Sequence, residues 1–194
     1  MGSRSDILAR IKANKPEVMA LPNIDPSVFD EGFDSVSEFT KKVEAVGGNV
    51  FRSTTNQAVI EKIIALFPDT KINFSALEKT ESFNTMSLDE IKHPQELDDL
   101  DVLVLESSLG VAENGAVWLE DSKIPVRVLP FITKHLVLVL QETSVVSYMH
   151  QAYQNIKNFD FGVFVSGPSK TADIEQSLVI GAQGALSVSV FLVK

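Results

Sequence analysis

Apolar positions fall into short runs whose spacing alternates between helical and extended, separated by polar and glycine- or proline-rich stretches. Ser3–Ala13 predicts a helix, with Ser5 as candidate N-cap and Ile7, Leu8 and Ile11 at helical spacing. From Pro16 to Asp34, Pro16, Pro22, Pro26 and Gly32 break any regular pattern. Val18, Met19, Leu21, Ile24 and Phe29 still give that connector apolar groups to pack down. The expected division is therefore residues 1–34, a helix and extended connector packed on the core, and residues 35–194, one domain.

Within the second part, Ser35 and Glu38 fit a capping box, and Val36, Phe39, Val43 and Val46 trace a helical face that ends at Gly47-Gly48. A strand is expected over 49–52. A helix capped by Thr54 or Thr55 runs to Phe67 and is stopped by Pro68, and a strand covers 71–74. Residues 78–100 are polar and give no regular pattern. Further strands are expected at 101–105 and 116–119, joined by a loop over 107–115. The run 136–140 is apolar at every position, as in strands buried on both faces. A helix from Thr143 or Ser144 to Ile156, a strand at 162–165, a turn at 166–169, a helix through Ile180 and a strand at 186–193 complete the chain. Such alternation predicts an α/β fold with a largely parallel sheet and an added antiparallel hairpin.

Charge narrows the function. With 17 basic and 26 acidic side chains, a net charge of −9 and a pI near 4.8, the chain is ill suited to sequence-independent nucleic-acid binding. The sequence holds no cysteine, so it supplies no disulfide, thiolate nucleophile or Cys-ligated cluster. Its three histidines share no metal-ligand spacing, so no local metal motif is expected. No apolar run approaches the ~18–20 residues that span a bilayer, and residues 1–15 lack the apolar centre of a signal peptide. A cytoplasmic protein is the expectation. The 12 Phe, one Trp and two Tyr are scattered as core filling.

Two stretches invite chemistry. Ser166-Gly167-Pro168-Ser169-Lys170-Thr171-Ala172-Asp173-Ile174-Glu175 leaves a strand and, on this reading, opens a helix. Ser166, Ser169, Lys170 and Thr171 could there hold a carboxylate or phosphate on free helix amides. The competing reading makes Ser169 or Thr171 a cap, with Asp173 and Glu175 complementing the helix dipole. The order of residues is not that of a Walker A loop. In Ser107–Gly115, Glu113 is a candidate nucleophile or general base, while Asn114-Gly115 by itself suggests a turn between strands. His135 stands at a strand entrance and is a site candidate, whereas His93 and His150 read as structural or surface residues. Gly181-Ala182-Gln183-Gly184-Ala185 permits a tight backbone approach and offers the Gln183 amide.

Gly110-Val-Ala-Glu-Asn-Gly115, Pro130-Phe-Ile-x-x-His135, the 166–175 block and Gly181-Ala-Gln-Gly184 together resemble the LUD domain family, and within it the lactate-utilization C group, over roughly Val36 to Val193. The resemblance implies a Rossmann-like three-layer fold related to the NagB/RpiA/CoA-transferase group. It also implies a part in oxidising L-lactate to pyruvate, as the subunit without iron–sulfur clusters in a multi-protein complex. Small-carboxylate binding and a homodimer go with that picture. Its marked positions are Glu113, Gly115, His135, Ser166, Gly167, Thr171, Asp173 and Glu175. Where the family commonly has Gly-x-His-Gly this chain has Gln183, which can replace a histidine's hydrogen bonds but not its titration. Ala112-Glu113-Asn114-Gly115 is also similar to the Ser-Glu-Asn-Gly segment of class I CoA-transferases, whose glutamate attacks a thioester. This leaves a stand-alone enzyme with Glu113 as nucleophile, or a scaffold without chemistry, as the rival readings.

Overall fold

The computed structural model describes residues 3–17, 19, 20, 22, 25–29, 31–157, 159–171 and 178–194. Two compact units divide at Gly32 and Phe33. The first contains helix α1 (Ser3–Ala13) and a 3-10 turn at Pro26–Phe29. Asp6 in the first turn of α1 and Arg10 and Lys12 in its last complement the helix dipole. Helix α1 starts at Ser3, so the expected cap Ser5 lies inside it.

The second unit begins with α2 (Ser35–Ala45), capped by Asp34, whose carboxylate accepts from the Ser37 N–H at 3.0 Å. The expected Ser35 cap is thus displaced by one residue, because the carboxylate is the stronger acceptor at a positive helix end. Gly47, at φ +87°, ends the helix; its N–H bonds to the Glu44 carbonyl and that of Gly48 to the Val43 carbonyl, both at 2.9 Å. Then follow β1 (Asn49–Ser53), α3 (Asn56–Leu66, capped by Thr55) and β2 (Asn73–Ser75). The polar stretch after β2 forms three 3-10 turns. The remaining elements are β3 (Val102–Ser107), β4 (Leu109–Val111), β5 (Ala116–Glu120), α4 (Leu129–Ile132), β6 (His135–Gln141) and β7 (Val145–Val146), then α5 (Met149–Asn155), β8 (Gly162–Val165), β9 (Lys170–Thr171), β10 (Val179–Ile180) and β11 (Ser187–Val193).

Five strands form a parallel sheet in the order β1-β11-β6-β3-β2. Alternation along them divides the core. Val102, Val104, Val137, Val139, Phe191 and Val193 face one side, against Val59, Ile60 and Ile63 of α3. Leu103, Leu105, Leu136, Leu138, Leu140, Val188 and Val190 face the other, against Phe39 and Val43 of α2 and Val117 and Leu119 of β5. The expected α/β architecture holds. One flanking layer, however, combines α2 with a second sheet, ordered β7-β4-β5-β8, whose outer surface is covered by α5. Ser107 makes the corner between the sheets: its buried hydroxyl donates to the Trp118 carbonyl at 2.6 Å and accepts from the Leu109 N–H at 3.2 Å.

Three sequence expectations are corrected. The 107–115 loop contains β4, which pairs antiparallel with β5 around Asn114-Gly115. The helix expected from 143 starts only at Met149, because the β-branched Val145 and Val146 pair with β4 instead. The helix expected after Ser169 is absent at its described ends: Lys170 and Thr171 pair antiparallel with Ile180 and Val179. Residues 172–177, with Asp173 and Glu175, lie outside the described residues. No helix among the described residues is long and apolar enough to cross a membrane.

Candidate functional site

Three of the residues singled out in the sequence, Gly115, Gly167 and Lys170, gather around α2 and its end. Gly115, at φ +67°, presses its backbone on the helix; a Cβ there would stand 2.7 Å from the Val43 nitrogen. This close approach explains why a glycine is needed. Glu113 turns away from it: its carboxylate accepts from the Met149 N–H at 2.8 Å and so caps α5. Ser166 donates to the Asn114 carbonyl at 2.8 Å. Gly167, at φ +80°, lies against Val46, and the Lys170 ammonium donates to the Val46 carbonyl at the end of α2. A cation at the C-terminus of a helix is favourable for its dipole. The 181–185 loop is tied to the same turn, with Ser169 N–H bonding to the Ala185 carbonyl and Gly181 N–H to the Ser169 carbonyl.

Between that turn and the start of the central sheet lies a pocket of about 300 Å³. Leu136, Val188, Val163, Val165 and Pro130 give it apolar surface, and Ser166, Gly167, Ser169, Lys170 and Gln183 give it polar edges. Among the described residues that line it, Lys170 is the one charged side chain. An ammonium has three donors and Val46 uses one, so the arrangement can accept an anionic group beside hydroxyls and an amide. Five of the sequence-predicted positions thus meet here. The pocket opens near the amino ends of β6 and β11, whereas the sequence had suggested the carboxyl edge of a strand feeding a helix. Among the described residues, Lys170 is the pocket's anion-attracting group.

The other candidates stand apart. Glu113 and Gly115 do not line the pocket, and Thr171 sits in the β9–β10 hairpin. His135 points to the opposite face of the sheet, stacked on Phe67 with ring centroids 4.3 Å apart, and its Nδ1 lies 2.8 Å from the Ser187 hydroxyl. Burial lowers its pKa below the ordinary value; Asp101 opposes that shift and Lys134 adds to it. Burial would raise the Asp101 pKa, but hydrogen bonds from Lys134 and the Lys71 and Ile72 N–H groups prevail and lower it to about 2. His93 and His150 lie in a turn and on α5. Among the described residues, no group of three or more His, Asp or Glu is placed to hold a metal ion.

A second cleft, of about 260 Å³, lies at the carboxyl edge of the parallel sheet, lined by Asn56, Glu78, Glu106 and Gln141 among others. Sequence reasoning missed it, although Glu106 and Gln141 directly follow apolar strand runs, where ligands of open α/β sheets commonly bind. Its carboxylates repel an anion, and Lys123 is already paired with Glu106 at 2.7 Å. For a carboxylate the Lys170 pocket is the better host. Its apolar lining was also missed, except for the Pro130-Phe131 motif.

Comparison with known proteins bears on both fold and site. A family model for the LUD domain matches residues 36–193. Lactate utilization protein C of Shouchella clausii is 31% identical over 100 residues, covering 48% of this chain and 44% of that protein. The protein of the same name in Bacillus subtilis is 33% identical over 95 residues, covering 45% of this chain and 40% of its own. These matches span less than half the length of the curated relatives. The crystal structure of a DUF162 family protein from Deinococcus radiodurans aligns with 89% of this chain and 100% of its own, with a TM-score of 0.60 and 12% identity. That likeness supports the fold.

Proposed function

Because the chain belongs to the LUD domain family, we propose that it serves lactate utilization as a subunit of an L-lactate-oxidising system. In this reading it holds a small carboxylate, while iron–sulfur clusters reside on partner chains. The observation that carries the ligand is the Lys170 pocket, where one ammonium, two hydroxyls and an amide border an apolar lining. A lactate carboxylate would take donors from Lys170 and Ser169, its hydroxyl would meet Gln183, and its methyl the apolar side, while the Ser166 proton stays on the Asn114 carbonyl. The names of the curated relatives support the pathway, and the absence of cysteine from this sequence is consistent with clusters held elsewhere.

Calorimetry with L-lactate, pyruvate and a neutral amide analogue tests the ligand. The two acids are expected to bind and the amide not. Lys170→Met is expected to weaken the acids roughly 10- to 100-fold, the worth of one charge-assisted hydrogen bond. Glu113→Gln, which alters the cap of α5, should leave affinity within about twofold. Equal binding of acid and amide would overturn the carboxylate assignment. In a strain deleted for this chain and lacking a paralogue, unimpaired growth on L-lactate would overturn the pathway assignment.

A further inference from the structure

The Lys170 pocket runs along a sheet edge that no other strand among the described residues pairs with. Strand β8 is the last strand of the second sheet, and all three of Val163, Phe164 and Val165 border the pocket. Successive strand residues point to opposite faces, so lining by three in a row means that the strand's main chain faces the space. Val163 and Val165 pack with the core shared by the two sheets, and Phe164 packs on the α5 side. Among the described residues, nothing hydrogen-bonds to Val163, Phe164 or Val165 beyond their ladder with β5.

Proteins guard such edges with charges, prolines or bulges. Gly162-Val163-Phe164-Val165 has neither charge nor proline, and it is regularly paired on its inner side. Phe131, which also borders the pocket, is 44% exposed. At one end stand Ser166, Ser169 and Lys170.

We infer that β8 receives an extended segment of a partner protein, which adds as a strand along Val163–Val165 and places a carboxylate at Lys170. This rests on the proposed carboxylate site and names its partner class. Main-chain bonds to the edge would give affinity, the apolar lining would select an aliphatic or aromatic side chain, and Lys170 would set polarity and register. The carboxylate can be a chain terminus or an Asp or Glu side chain. Charge complementarity favours an acidic segment, since Lys170 is the one charged group among the pocket's described lining residues.

The test uses the full chain and a displayed library of random peptides about six residues long, a typical strand length. An enriched peptide is then synthesised with a free terminus, with an amidated terminus, and with single N-methyl groups along its backbone. Strand addition predicts that N-methylation weakens binding at least roughly tenfold at alternate positions only. Loss on amidation identifies the terminus as the carboxylate, and retention with loss on Glu→Gln or Asp→Asn in the peptide identifies a side chain. Lys170→Met should weaken either class. Failure to enrich any peptide, or indifference to N-methylation in the unmodified protein, overturns the inference. L-lactate binding with no peptide binding would overturn strand addition alone. Peptide binding without L-lactate binding would overturn the small-molecule ligand and leave strand addition standing.

Discussion

Lys170 joins two structures: its ammonium closes the C-terminus of α2 at Val46, and its side chain borders the pocket. Glu113, Gly115, Ser166 and Gly167 act on the same surroundings by capping or close packing, so residues that read as chemical in the sequence also have structural work. Gly115→Ala is expected to destabilise the fold by about 2–4 kcal/mol, from a positive φ and a Cβ forced against the α2 backbone. Glu113→Ala should cost about 1 kcal/mol, as loss of a helix cap does. Urea denaturation checks both. Asp101 gives a pH signature. Its carboxyl, lowered from 3.8 to about 2, contributes stability that is complete above pH 3.8 and is lost as pH falls through about 2. Asp101→Asn should therefore destabilise by about 2 kcal/mol at neutral pH, and the difference from the unaltered protein should shrink at pH 2.

At the scale of elements, the helices with clear stop signals were legible. Gly47-Gly48 and Pro68 marked the ends of α2 and α3, and the apolar runs marked β3, β6 and β11. Val145-Val146 and Lys170-Thr171 were misread as helical because two-residue strands have no periodicity; their state is set by the partners they meet in β4 and β10. The start of β6 supplies a second pH test. The lowered pKa of His135, caused first by burial, means that the unfolded chain takes up its proton at higher pH than the folded one. Its stabilising effect is present above pH 6.5 and is lost as pH falls through the lowered folded value. The melting temperature should fall between pH 7 and pH 5, and His135→Gln should flatten that fall.

Across the whole second unit, the two sheets explain why the candidate residues were only partly assembled from the sequence. Motif order brought Ser166, Gly167, Ser169, Lys170 and Gln183 to notice. It could not reveal that β6 and β11 present their amino ends to them, with Leu136 and Val188 as apolar lining. Nor could it show that His135, one residue from Leu136, faces the other side, which follows from strand alternation once the register is known. The parallel sheet thus carries two unlike edges: an acidic cleft at its carboxyl end and, at its amino end, a pocket bordered by Lys170. The most direct measurement is a backbone-amide NMR titration of the chain with L-lactate. Saturable shifts confined to residues 163–170, 183–188 and 130–136 are predicted. No shifts, or shifts centred on Asn56, Glu78 and Glu106, would contradict the Lys170 pocket as the carboxylate site.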